Sequence, residues 1–106
     1  MINKNNQINL SDDLYFMMIK DIIWDVFKND VDIILFGSRA RGTHNDNSDY
    51  DICVIAKNFD NSYKIAVVND IIENSNIPFK VEIIDFSNTT GILREEILNE
   101  GIKWIN

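Results

Sequence analysis

From Leu14 onward, apolar residues recur at helical spacing: Leu14, Met17, Met18, Ile22, Val26 and Phe27 form a stripe that runs to about Asn29. Ser11 is placed to cap this helix, and Asp12 and Asp13 suit its positive end. The period then changes. Residues 31–36, VDIILF, are a short β-branched run closed by Gly37, which predicts a strand. SRAR predicts a turn or two of helix before Gly42, THNDNS has loop composition, and DYDICVIA predicts a second strand over about 49–56. Asp60, Asn61 and Ser62 open a second long helix with Ile65, Val68, Ile71 and Ile72 on one face, ending near Asn74. Pro78 marks the break, and FKVEIIDF over 79–86 predicts a third strand. Ser87, Asn88, Thr89 and Thr90 suit the start of a last helix, which carries Ile92, Leu93, Ile97 and Leu98 and stops at Gly101. The tail IKWI suits a short final strand or an interface segment. Residues 1–10 are polar and Asn-rich and read as a loose lead-in.

This order (helix, strand, strand, helix, strand, helix) predicts an α+β fold, a small sheet with helices mainly on one face. The chain has 106 residues and no repeat, low-complexity run or linker, so a single domain over 1–106 is expected.

Charge narrows the partners. A net charge of −7 argues against a groove that tracks nucleic acid directly and against an anionic membrane surface. It leaves room for a nucleotide bridged to the protein by divalent metal. The first thirteen residues lack the apolar core of a signal peptide, and no apolar run reaches the ~20 residues that span a bilayer. Cys53 is the only cysteine; it lies in an apolar stretch and reads as a small buried side chain. The expected location is cytoplasmic.

Residues 36–51, FGSRARGTHNDNSDYD, hold the candidate chemistry. On a strand, residues two apart point the same way, so Asp49 and Asp51 project together while Tyr50 faces away. Paired carboxylates resist joint ionisation unless a cation sits between them, and hard ions such as Mg²⁺ take one or two carboxylates plus phosphate oxygens. Glu82 lies between Val81 and Ile83 on the third strand and would face the same cleft if that strand lies beside the second. Three acids could then hold two ions about 4 Å apart, the spacing used in phosphoryl transfer. Asp85 ranks behind Glu82, since it faces the other way on a regular strand. Gly37 lets backbone approach a ligand, Ser38 offers a hydroxyl and an N–H at a helix start, and Arg39 or Arg41 would steady a triphosphate. The pattern is neither a Walker loop nor a dinucleotide fingerprint. His44 reads as a surface residue, Trp24 and Trp104 as core or interface anchors, and Tyr15 and Tyr63 as helix residues that pack.

GSRARG, then SDYDICV, then KVEII resembles the minimal nucleotidyltransferases of the DNA polymerase beta superfamily, over roughly residues 14–104. The resemblance implies a polymerase-beta-like nucleotidyltransferase core with a mixed sheet. It implies that Gly37 and Ser38 bind the triphosphate of an NTP, ATP foremost, and that Asp49, Asp51 and Glu82 hold two Mg²⁺ ions. It departs at one position: small members usually carry Asp where this chain has Glu82, a longer arm that alters metal geometry and lowers the expected activity. Members this short are typically paired with a small all-helical HEPN-domain protein, an RNase toxin, and serve as its antitoxin within the complex, in some cases by transferring AMP to a partner tyrosine. With no room for the drug-holding domain of larger members, the expected acceptor is a protein. Two other readings remain: a binding module that neutralises by occlusion, and a nucleotidyltransferase acting on a small molecule.

Overall fold

The computed structural model describes residues 9–57 and 60–105, so the expected lead-in over 1–10 lies almost wholly outside the described residues. Four helices and four strands follow in the order α1 (Leu14–Phe27), β1 (Val31–Phe36), α2 (Ser38–Arg41), β2 (Tyr50–Ala56), α3 (Ser62–Glu73), β3 (Val81–Asp85), α4 (Gly91–Glu100) and β4 (Ile102–Lys103). The strands form one mixed sheet in the order β3-β2-β1-β4. β1 runs antiparallel to β2 and β4, and β2 runs parallel to β3 with Asp51 opposite Glu82. Among the described residues, no helix is long and apolar enough to cross a membrane.

Strand alternation sorts the side chains into two layers. Ile33, Leu35, Ile52, Val54 and Ile83 face a large core completed by Phe16, Ile19, Ile23 and Phe27 of α1 and Val68 and Ile72 of α3. Full burial of each such side chain contributes on the order of 1.5–3 kcal/mol. The other face carries a smaller cluster, Ile34, Phe36 and Cys53, covered by Ile97 of α4. The two long helices thus share one face, as the element order predicts. Burial pushes the Cys53 thiol up to about 12, consistent with a packing role.

Several boundaries differ from the sequence reading, each because a tertiary partner decides. Asp13, not Ser11, caps α1, accepting from the Phe16 N–H at 3.0 Å. The same carboxylate accepts the Tyr50 hydroxyl at 2.9 and 3.0 Å, a contact across 37 residues that selects this aspartate. Ser11 lies instead in a 3₁₀ turn over Leu10–Asp12. α1 stops at Phe27 because Lys28 and Asn29 turn left-handed, at φ 56° and 65°. β3 begins at Val81, since Phe79 leaves the strand to stack edge-on against Tyr15 and Tyr50, with ring centroids 5.1 and 5.5 Å away. Gly101 does end α4, but at φ −66°; a Cβ there would lie 2.4 Å from the Ile97 carbonyl oxygen and 2.6 Å from Ile34. Close approach, not handedness, requires that glycine.

Not every expected core residue is buried. Ile92 on α4 and Tyr63 in the first turn of α3 are 86% and 78% exposed, because each points away from the sheet face that its helix covers. Trp24 and Trp104 are half-buried and flank the buried Lys20 ammonium, whose charge also meets Asp21.

Candidate active site

β1 ends at Phe36, and Gly37 turns the chain into α2 with φ 75° and ψ −158°, a conformation that side-chain-bearing residues avoid. A second constraint is steric. A Cβ on Gly37 would sit 2.3 Å from the Asp51 Oδ2, so the glycine backbone is pressed against that carboxylate. The turn and the aspartates, fourteen positions apart for Gly37 and Asp51, are therefore one structural unit. Ser38 starts α2, where its N–H and that of Arg39 have no partner within the helix.

The stretch between them is held in place by Arg39. Its Nε and Nη2 both donate to the Ser48 carbonyl, at 3.0 and 2.9 Å, and its guanidinium lies 4.1 Å from the Tyr50 ring and 4.8 Å from the Phe79 ring. Ser48 immediately precedes Asp49, so Arg39 fixes the loop that delivers the first aspartate. The structure thereby separates Arg39 from the group it was expected to join: its charge is buried on the Tyr50 side of the sheet. Arg41 stays on the acidic side, but Glu96 and Glu100 of α4 each hold it at 2.9 Å.

Asp51 lies in register with Glu82 on the neighbouring strand, and both belong to the face opposite the large core. Partial burial raises the Asp51 pKa, and the negative charges of Glu82, Asp49 and Glu96 raise it further against a small opposing effect of Arg41. Asp51, Glu82, Asp49 and Glu96 thus share one electrostatic environment. Asp49 stands just before β2 and is half-buried; Glu82 is exposed on β3, an edge strand of the sheet. Asp85 goes elsewhere, as its parity predicts: it is buried and accepts from Asn61 and from the Ser87 N–H and hydroxyl. His44 is exposed in the loop.

Glu96 is the one member of this environment that sequence reasoning missed. Glu96 and Glu100 are four apart on one helix face, yet their partner Arg41 is 55 and 59 positions away, and no local pattern announces it.

The donor chemistry suits a hard divalent cation: carboxylate oxygens beside a glycine turn whose missing side chain lets the backbone lie against Asp51. Among the described residues, no three such groups meet closely enough to enclose an ion by themselves. Mutual repulsion of the acids opposes that closure.

The family model for polymerase beta nucleotidyltransferases matches residues 17–105. Among curated proteins, none matches the chain significantly. Solved structures do. A toxin–antitoxin crystal structure with AMP-PNP shares 22% identity at a TM-score of 0.63, covering 82% of this chain and 73% of that one. A mutant of the MntA-HpeT toxin–antitoxin shares 20% identity at a TM-score of 0.66, covering 87% and 73%. A structure provisionally assigned as a minimal nucleotidyltransferase shares 21% identity at a TM-score of 0.62, covering 92% and 98%. At these identities the likeness establishes the fold.

Proposed function

The chain belongs to the polymerase beta nucleotidyltransferase family, and from that premise we propose that it transfers a nucleoside monophosphate, AMP from ATP foremost, to a hydroxyl on a partner protein. The observation that carries the reading is the contact of Gly37 with Asp51, which sets the Gly37–Ser38 turn directly against Asp51, whose in-register neighbour on β3 is Glu82. Asp49, Asp51 and Glu82 would hold two Mg²⁺ ions, which supply the positive charge that offsets the triphosphate and the charge developing on it. Gly37 and Ser38 receive the β- and γ-phosphates through backbone N–H groups and the Ser38 hydroxyl. Arg41, held by Glu96 and Glu100, stands at the rim.

In the proposed reaction the acceptor oxygen bonds to the α-phosphorus while the bond from that phosphorus to the bridging oxygen breaks. Pyrophosphate leaves with the electron pair, and the acceptor proton passes to the Glu82 carboxylate. The protein's part is positioning and electrostatics. Arg39 contributes indirectly, by fixing Ser48 and hence Asp49.

Two of the similar structures are toxin–antitoxin complexes, one of them with AMP-PNP, which supports an antitoxin role in complex with a toxin; the partner we propose is a small all-helical HEPN-type protein. The net charge of −7 favours a second reading as well, neutralisation of a basic RNase by occlusion without transfer. Label transfer from α-labelled ATP with Mg²⁺ to a co-purified partner separates them. Asp51→Asn is expected to lower labelling at least about 100-fold. Unchanged labelling would overturn the site assignment; protection from the toxin by an Asp51→Asn chain that no longer labels would favour occlusion.

A further inference from the structure

The two edges of the sheet are unlike. β4 offers only two residues, Ile102 and Lys103, whereas β3 at the other edge offers five, Val81–Asp85. Natural sheets blunt their edges by making edge strands short or charged, and β3 is longer and, Glu82 and Asp85 apart, apolar. Its backbone polarity follows from its pairing. The Tyr50 N–H donates to the Lys80 carbonyl at 3.0 Å, and Tyr50 stands opposite Val81 in a parallel ladder. In such a ladder alternate residues turn their N–H and C=O groups to the neighbour, so Glu82 and Ile84 face β2 and Val81, Ile83 and Asp85 face outward.

A groove of about 450 Å³ runs along this edge, walled by Ile72, Glu73, Ile77, Phe79 and Lys80 beside Val81–Ile83. Glu82 also lines it, and Glu82 is in register with Asp51. The edge is therefore continuous with the acidic site.

We propose that the acceptor hydroxyl is presented by an extended, basic segment of the partner protein that pairs with the outer edge of β3; this rests on the nucleotidyltransferase reading above. An added strand would bond through the outward groups of Val81 and Ile83. Its side chains alternate, so one set falls on the side of Ile72, Ile77 and Phe79 and the other on the side of Glu82 and Asp51. Side chains directly opposite on paired strands stand about 4.5–5.5 Å apart at Cβ, which brings a Ser, Thr or Tyr hydroxyl opposite Glu82 within reach of its carboxylate. Basic flanking residues follow from the chain's net charge of −7 and from the groove, where Glu73 and Glu82 outweigh Lys80. The segment's neighbours to the hydroxyl residue are apolar, to meet Ile72, Ile77 and Phe79.

The test uses the full ¹⁵N-labelled chain and capped ten-residue peptides with a central Tyr, Ser or Thr, Val on either side, and either Lys/Arg or Glu flanks. With basic peptides the Val81 and Ile83 amide signals are expected to shift and their exchange to slow at least about tenfold, with the Glu-flanked set binding at least about tenfold more weakly. Val81→Pro removes one outward N–H and puts a ring on the edge while sparing the Tyr50–Lys80 hydrogen bond. It is expected to weaken peptide binding at least about tenfold and to leave AMP-PNP affinity with Mg²⁺ within about twofold; Val81→Ala, the packing control, should bind peptide within about twofold of wild type. Unmoved Val81 and Ile83 amides at about 1 mM peptide, equal binding by Val81→Pro, or equal losses in both variants would overturn the proposal. So would association of the chain with itself through this edge in place of peptide binding. Failure of the nucleotidyltransferase reading shows separately, as wild-type chain that neither binds AMP-PNP with Mg²⁺ nor transfers label while the edge amides still respond.

Discussion

Asp51 and Ile52 are neighbours on β2 and look out on opposite sides of one sheet. Behind Ile52, the strands are roofed by two long helices, and the side chain is fully buried among Phe16, Ile19 and other apolar groups. Behind Asp51, Ile97 of α4 covers a smaller cluster of Ile34, Phe36 and Cys53, and the end of the sheet beside Gly37 holds acids instead of a core. One face spends its surface on stability. The other keeps charges together that repel, and so holds a site at some cost in stability.

That contrast makes adjacent substitutions move stability in opposite directions. Ile52→Ala should lower it by about 2–5 kcal/mol through lost burial and a residual cavity, read from urea denaturation. Asp51→Asn removes a charge whose ionisation the fold disfavours, so the same measurement at neutral pH should show a gain. A loss in Asp51→Asn would mean that the acidic face is not under electrostatic stress.

Gly37→Ala attacks the seam between the two faces. The positive φ and the clash with Asp51 should cost on the order of 1–3 kcal/mol and displace the carboxylate, so thermal stability and label transfer should fall together. Retained transfer in a destabilised variant would detach the turn from the site.

The pH dependence of the Asp51→Asn gain follows with a definite sign. The folded-state pKa of Asp51 is raised, so the folded state binds that proton more tightly than the unfolded chain. The penalty is absent below the usual carboxylate range, develops as pH rises through the raised value, and is complete above it. Wild type and Asp51→Asn should therefore converge in acid and separate toward neutral pH; a gap that widens in acid would reverse the assignment. Mg²⁺ with AMP-PNP should raise the wild-type melting temperature and leave that of Asp51→Asn nearly unchanged, since only ligand bound to the folded state stabilises it.

The smallest effect is expected at Arg41. Its bridges to Glu96 and Glu100 are at the surface and screened by salt, so Arg41→Gln should barely shift the urea midpoint while weakening nucleotide binding. A large loss of stability would show that α4 depends on this contact to stay on the sheet.

Much of this was legible in the chain. The alternation in VDIILF and DYDICVIA assigns each side chain to a face before the faces are known, and the bounds of β1 fall as predicted. Strand alternation puts Asp51 on the face opposite the large core, whereas Asp49, expected on the same strand, stands just before it. Helix limits were less legible, because Asp13, which caps α1 by accepting the Phe16 N–H, is also held by a hydroxyl that Tyr50 donates from another element. Arg39 shows the limit most plainly. Its sequence neighbours suggest a phosphate ligand, and only the nearness of Phe79, Tyr50 and Ser48 turns it into the anchor of a loop.

What the sequence determined alone is what local periodicity and stereochemistry can fix: which segments are helix or strand, which residues share a face, and that a glycine must stand at position 37 of a strand-to-helix turn. Tertiary structure decided what depends on distance across the fold. It set Asp51 opposite Glu82 by placing β3 parallel to β2, pressed Gly37 against Asp51, brought Glu96 to Arg41, and left β3 as the long open edge. Such pairings join residues tens of positions apart, and their energies come from burial and charge in the assembled molecule rather than from any preference of the local chain.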